Sequence, residues 1–226
     1  VIAPAINPNA GFDPVRDFAP IVGLVRAPQV LVVHPTHPAT DLAGFLRAAR
    51  AAEGRMTMAS QGNGSIGHLT GAVLARRAEV SFTHVPYRGG GPAVVDVVAG
   101  HVETLLVTLP AAIEHIRGGR LKALAVSSAT RSGALPEVPT IAESGFPGFA
   151  IVTWQGILAT AGTPEPVIAR LHAALIEALR RPEVADALRG QGFEVTGTNP
   201  EAFAELIRDE AGRWPGVVRL AGAVLD

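Results

Sequence analysis

The sequence predicts an α/β protein built on a parallel sheet with helices on its faces. Three observations point there. Short β-rich runs alternate with helical runs along nearly the whole chain, the order that βαβ units impose. Between Met56 and Arg77 a strand-like segment passes into a glycine-rich turn and then a helix. Two helix-opening signatures recur late in the chain. Thr163-Pro164-Glu165 and Asn199-Pro200-Glu201 each offer an N-cap, a proline at the first helical position and an acid that suits the helix dipole.

Ile21 to Val25 and Gln29 to His34 read as two β-rich runs split by Ala27-Pro28. Thr40 suits the N-cap of a helix from Asp41 to Ala52, whose Leu42, Phe45, Leu46 and Ala49 recur at helical spacing. Met56 to Ala59 is a short strand, and Ile66 to Arg77 a helix. Val80 to Val85 alternates like a strand and meets the turn Tyr87-Arg88-Gly89-Gly90-Gly91-Pro92, followed by a helix from Ala93 to Ala99. Val102 to Val107 and Leu121 to Val126 are strands around a short helix, Ala111 to Ile116. A loop broken by Pro136, Pro139 and Pro147 leads to the strand Ile151 to Leu158. Helices follow near Pro164 to Leu179, Pro182 to Arg189 and Pro200 to Arg213.

With 226 residues the chain suits one large domain or two small lobes, and either buries a real core. Hydrophobic residues make up 48% and charged residues 17%, which excludes a disordered chain. The net charge of −1 argues against a nucleic-acid partner, which would want a basic face. The absence of cysteine excludes disulfides, thiolate nucleophiles and cysteine-ligated metals. No apolar run is long enough to span a bilayer, and no signal peptide is visible. The first residue is Val1, not Met, so something upstream is expected to have been removed or left out.

The stretch from Ser60 to Ser65 carries the chemistry. Glycines 62 and 64 let backbone N–H groups converge, and the first turn of the following helix leaves its own N–H groups unpaired. Ser60, Asn63 and Ser65 add side-chain donors. Such a corner holds an anion. Gly62, Gly64 and Gly67 also spell G-x-G-x-x-G, so a dinucleotide reading competes. That fingerprint wants a strongly apolar strand before it and an acid about 20 residues on. Here the strand is short and half polar, and the later position falls on Arg88, which would suit a 2′-phosphate. An NADP-linked oxidoreductase fragment therefore stays open as an alternative, as does a purely structural glycine turn. No Gly-Lys-Ser or Gly-Lys-Thr follows, against a P-loop, and no Gly-x-Ser-x-Gly elbow surrounds Ser60 or Ser65. Arg88 is either a ligand partner or a solvated edge residue. Tyr87, the single tyrosine, either walls a pocket or packs on an edge. His68 either touches the ligand or packs at the helix start. His34 and His37, flanked by Pro35 and Pro38, read as turn surface rather than a metal site. No H-E-x-x-H is present.

These motifs, in this order, resemble one family. Asp13-Pro14-Val15-Arg16-Asp17-Phe18-Ala19-Pro20 is similar to its D-x-x-x-D-F-x-P entry. Val30 to Pro35, Ala59-Ser60 through Ser65 with His68-Leu69, and His84-Val85-Pro86-Tyr87-Arg88-Gly89 follow. Leu121 to Val126, Leu135 to Thr140, Thr153-Trp154-Gln155-Gly156 and Ala161 to Pro164 complete the pattern. The chain resembles the Bug family of extracytoplasmic solute receptors, the substrate-binding proteins of tripartite tricarboxylate transporters.

The resemblance implies a two-lobed α/β fold of the type II periplasmic-binding class, closing on a small carboxylate without catalysis and without a cofactor. It implies one lobe over residues 27–151, carrying the anion loop, and a second from 1–26 plus 152–226. It implies ligand contacts at Ser60, Gly62, Asn63, Gly64, Ser65, Tyr87, Arg88, Gly89 and Thr108, and no metal. Trp154 is expected to pack near the lobe crossing. The implied partner is a membrane permease, the implied location the periplasm, and the implied state a monomer if the chain is complete. A metabolite-sensing module without transport shares the fold and stays open. Two departures stand out. The family's opening strand and Pro-Gly-Gly loop are not found, and Val1 falls near its Asn-Pro segment, seen here as Ile6-Asn7-Pro8, so the first lobe is expected to be incomplete. Thr108 stands where the family often carries an acid, a change expected to alter ligand preference. The loop chemistry suits di- and tricarboxylates, aromatic acids, acidic amino acids and neutral amides alike.

Overall fold

A computed structural model describes residues 1–7 and 9–223. Pro8 of the Asn-Pro segment and residues 224–226 lie outside the described residues. The chain divides into two compact units, one from Val1–Arg26 with Trp154–Asp226, the other Ala27–Thr153.

One strand serves both. β1 (Phe18–Val33) runs unbroken for 16 residues, where the sequence suggested two runs split at Pro28. The ladder to the first unit ends at Val25 and Arg26, and the ladders to the second begin at Gln29 and Val30. Pro28 lies between the β7 pairing at Arg26 and the β4 pairing at Gln29, a gap that suits a residue with no N–H to donate.

The first unit opens with a short helix, α1 (Ile2–Ile6), not anticipated from sequence. The early half of β1 pairs with β6 (Val152–Thr160) and, antiparallel, with the two-residue β7 (Glu194–Val195). Around them lie α6 (Glu165–Arg180), α7 (Pro182–Gly190) and α8 (Pro200–Ala221). The core gathers Ile21, Val22 and Val25 of β1 with Phe203, Ile207, Trp214 and Val218 of α8. Gly156 admits Phe203: a Cβ there would stand 2.2 Å from its ring. Trp154 meets Phe203 edge-on at 5.2 Å between centroids. Asn199 caps α8, its Oδ1 accepting from the Ala202 amide at 2.8 Å. The expected cap at Thr163 is absent; its hydroxyl instead donates back to the Thr160 carbonyl. α8 also outruns its expected end at Arg213, passing through Pro215 to Ala221. The buried face Phe203, Ile207, Glu210, Trp214 and Val218 keeps helical spacing across that proline, and its packing outweighs the one lost hydrogen bond.

The second unit holds the sheet order β3-β2-β4-β1-β5, formed by β2 (Thr57–Ser60), β3 (Thr83–Pro86), β4 (Thr104–Thr108), the later half of β1 and β5 (Lys122–Val126). β2 is parallel to β3 and β4, as alternation predicts. The later half of β1 is antiparallel to β4 and β5, so the sheet is mixed and not wholly parallel. Helices α2 (Leu42–Ala52), α3 (Ile66–Ala78), α4 (Gly90–Val98) and α5 (Leu109–Arg117) accompany it. Asp41, one residue past the predicted Thr40, caps α2 by accepting from the Gly44 amide at 2.6 Å. Val30, Val32, Ala59, Val97, Leu105 and Ile113 are buried together at the core.

Candidate ligand-binding site

Parallel pairing fixes where the chemistry gathers. Ser60 stands opposite Pro86 and Ala59 opposite Leu105, so β2, β3 and β4 all end at one edge of the sheet. Each then turns into a helix, and the N-termini of α3, α4 and α5 collect there. Ligands of open α/β sheets bind outside the carboxyl ends of the strands, where such helix starts offer unpaired amides and partial positive charge. α4 and α5 carry no side-chain cap among the described residues, and Pro92 and Pro110 bring no N–H to their first turns, so the amides those turns offer come from residues such as Gly90, Gly91 and Leu109. α3 is capped by Ser65, whose Oγ accepts from the His68 amide at 3.3 Å. The Ile66 and Gly67 amides ahead of it have no protein partner among the described residues.

The glycine loop is tied to itself. Gly62 and Gly64 take φ of +134° and +70°, a region glycine occupies freely. Ser60 is buried, and its Oγ lies 3.2 Å from the Gly62 amide, 3.0 Å from the Gly62 carbonyl and 2.7 Å from His84 Nε2. A hydroxyl donates once and accepts twice. Ser60 therefore donates to the carbonyl and accepts from the amide and from His84, which puts the His84 proton on Nε2. The Ser65 amide donates to the Gly62 carbonyl at 3.2 Å, and the Gly64 amide to His68 Nδ1 at 3.1 Å. His68 and His84 stack face to face, centroids 3.8 Å apart and planes within 2°. Burial, then the neighbouring His68, pulls His84 down to about 4, and burial lowers His68. Both rings are neutral at pH 7.

The predicted residues fall as follows. Ser60, Gly62, Gly64 and Ser65 form the closed loop, and Asn63 is exposed at its tip. The turn after β3 is stitched to it, with Tyr87 N–H donating to the Ser60 carbonyl and Gly89 N–H to the Gln61 carbonyl, both at 3.1 Å. Tyr87 turns its hydroxyl to Asp96 at 2.6 Å, and burial, ahead of that bond, raises its pKa to about 12. Arg88 is exposed, with no ion pair or hydrogen bond among the described residues. Gly89 and Thr108 are the N-cap residues of α4 and α5. The structure thus places all nine at the one strand edge, while the amides of Gly62, Gly64 and Ser65 and the Ser60 hydroxyl already have partners inside the loop.

Sequence reasoning missed the residue that joins these parts. Gln61 donates from Nε2 to Thr108 Oγ1 at 3.1 Å, and its carbonyl takes the Gly89 amide. A Cβ on Gly67 would stand 2.3 Å from the Leu106 carbonyl oxygen and 2.7 Å from Gln61 Oε1. The third glycine of the G-x-G-x-x-G match therefore has a packing role, bringing α3 close against β4. Gln61 lay inside the recognised loop, flanked by more familiar donors. Its signal was a long amide beside glycines with no side chain of their own. The ring Nδ1 atoms of His34 and His37 bond within their own turn, the His37 carbonyl accepts from Lys122 Nζ at 2.7 Å, and no cluster of metal-ligating side chains occurs among the described residues.

Residues 1–222 match the family described as tripartite tricarboxylate transporter family receptor. The chain belongs to this receptor family. Among curated relatives, the receptor is 42% identical over 212 residues to the UPF0065 protein in the tcbD-tcbE intergenic region of Pseudomonas sp. (strain P51), covering 93% of this chain and 63% of that protein. It is 35% identical to the protein BugT of Bordetella pertussis, covering 98% of this chain and 68% of the other. The chain thus spans about two thirds of the length of these relatives. Among solved structures, it is similar to R. palustris Rpa4515 with adipate, at 32% identity and a TM-score of 0.87, covering 95% of this chain and 72% of that one. It is also similar to MatC (Rpa3494) from Rhodopseudomonas palustris with bound malate, at 33% identity and a TM-score of 0.86, covering 96% and 75%. The α/β fold matches that of the periplasmic binding protein BugD, at 29% identity and a TM-score of 0.89, covering 99% of this chain and 75% of that one.

Proposed function

We propose that this receptor binds a small organic carboxylate at the strand edge of residues 27–153 and delivers it, in the periplasm, to the membrane permease of a tripartite transporter. The observation that carries the reading is the convergence of three helix N-termini at one sheet edge, two of them uncapped. Relatives caught with adipate and malate support the ligand class. In this reading the Ser60, Gly62, Gly64 and Tyr87 bonds hold the loop in shape. The carboxylate is met by the first-turn amides at Ile66 and Gly67, the Ser65 hydroxyl, Asn63, Gly89, Thr108 and the exposed guanidinium of Arg88. No chemistry follows binding, and the protein works without a cofactor.

A thermal-shift screen of the full-length protein tests this. A ligand at a hundred times its Kd adds about 2.7 kcal/mol to stability. Organic acids should raise the melting temperature, with micromolar affinity confirmed by calorimetry. Stabilisation by NADP and by none of the acids would overturn the receptor reading in favour of a nucleotide site.

A further inference from the structure

Three polar atoms at this edge are buried without a hydrogen-bond partner among the described residues: Gln29 Oε1, Gln29 Nε2 and Gln61 Oε1. Gln29 is 0% exposed. Buried carboxamides are ordinarily satisfied, so a fully orphaned one calls for an explanation. The backbone of Gln29 is not the cause. Its amide donates to Ser127 Oγ at 2.8 Å and its carbonyl accepts from the Ser127 amide at 2.9 Å, so the residue is pinned at both ends.

The register shows where the side chain lies. Gln29 on β1 stands directly opposite Thr108 on β4. Directly opposed residues of an antiparallel pair leave the sheet on the same face. Thr108 is the N-cap of the uncapped helix α5 and holds the Gln61 amide through Oγ1. The two carboxamides therefore flank one threonine at the strand edge of the carboxylate site. If the Gln61 amide is turned over, its far end still lacks a partner. Gln61 is fenced by two glycines: a Cβ on Gly67 would come within 2.7 Å of Oε1, and one on Gly90 within 3.6 Å of Cγ. No charged side chain bonds to Gln29, Gln61 or Thr108 among the described residues. A carboxylate buried there would lose its water without gaining a cation.

We propose that Gln29, Gln61 and Thr108 form a neutral subsite that receives the uncharged, hydrogen-bonding end of an asymmetric ligand, a monocarboxylate ending in a carboxamide. Gln29 presents both a donor and an acceptor, the complement of another carboxamide, and Gln61 adds an acceptor. The inference rests on the carboxylate-receptor reading and deepens it. The carboxylate end sits at the helix N-termini, and the amide end is what distinguishes this receptor's ligand from a dicarboxylate.

The test is calorimetry on the full-length protein with two matched pairs of probes, succinate against succinamate and adipate against adipamate. At least one monoamide should bind tenfold or more tightly than its dicarboxylate. Gln29→Leu should bring that ratio to within about threefold, chiefly by weakening the monoamide. Its unliganded melting temperature should hold or rise, since an unpaired buried amide has been replaced by an apolar group of similar size. Gln29→Met repeats the test with a more adaptable side chain. Three results would overturn the inference: a dicarboxylate binding as tightly as its monoamide, the preference surviving in both variants, or both variants losing their folding transition, which would make Gln29 part of an internal structural network. Binding of malate or another acid with no amide preference removes the subsite and leaves the receptor reading intact. Binding of no acid at all removes both.

Discussion

Mild acid should weaken this fold through the stacked histidines. His84 has an ordinary pKa of 6.5 and is drawn to about 4 by burial and by His68 at 3.8 Å. The unfolded chain takes up that proton as pH falls through 6.5, but the folded chain does so only near 4. Between those values the unfolded state binds more protons, so stability falls as pH falls. One proton costs about 1.4 kcal/mol per pH unit, or about 2.7 kcal/mol from pH 6.5 to 4.5. Solvent at the exposed edge of the ring should cut this to about 1–1.5 kcal/mol. His68, lowered by burial, acts in the same direction. The Tyr87 hydroxyl holds Asp96 and the Thr140 amide holds Glu143 below their ordinary values, so what these two contribute is lost mainly below this window. His37 and His115 are also lowered by burial and titrate in the same window, so the comparison must be made against a variant. His84→Gln keeps an amide donor for Ser60 and cannot titrate. Urea unfolding followed by circular dichroism at pH 7, 6, 5 and 4.5 should show wild type losing about 1 kcal/mol more than His84→Gln. Parallel curves, within about 0.3 kcal/mol, would refute the argument that a buried neutral pair braces the glycine loop.

Other consequences are simpler. Gly67→Ala drives a Cβ to 2.3 Å from the Leu106 carbonyl, so α3 must move off β4; a loss of roughly 2–3 kcal/mol is expected from the chemical-denaturation midpoint. Asn199→Ala removes the cap that accepts from Ala202 and should cost about 1 kcal/mol, with helicity otherwise unchanged. Arg88→Ala should weaken the tightest carboxylate ligand by about tenfold to a hundredfold, the value of a charged hydrogen bond, with an unchanged unliganded melting temperature. A change below twofold would return Arg88 to the solvent.

Local chemistry was the legible part of the sequence. The start of α3 at Ile66 was readable because Ser65 is a good cap directly after glycines, and its bond to the His68 amide is present. Asn199-Pro200-Glu201 worked for the same reason. Errors arose where a longer-range partner decided the outcome. Ala27-Pro28 looks like a break, yet β1 passes through because its two ladders leave that residue free. Pro215 looks like an end, yet Trp214 and Val218 hold the helix on. The antiparallel direction of β1 has no local signature at all, since it depends on which strand the chain meets. At the site the glycines and serines were readable as small polar groups at a turn, whereas Thr108 entered only through the family resemblance. Gln29 was not readable, because a lone polar residue beside Val30 to Val33 announces burial but not its neighbour across the sheet.

The closed state of the glycine loop bears on how the receptor selects. A flexible loop would have to be ordered by its ligand, and that entropy would be charged against affinity. Here Ser60, His68 and His84 satisfy the loop's inner polar groups before any ligand arrives. The loop acts as a fixed wall, and the donors left for a ligand are those of the helix starts, whose direction is set by the sheet. Such a wall offers its amides to any carboxylate of suitable size. On the proposed reading, discrimination then falls to the side chains around it, Arg88 on the exposed side and the Gln29–Thr108–Gln61 group on the buried side.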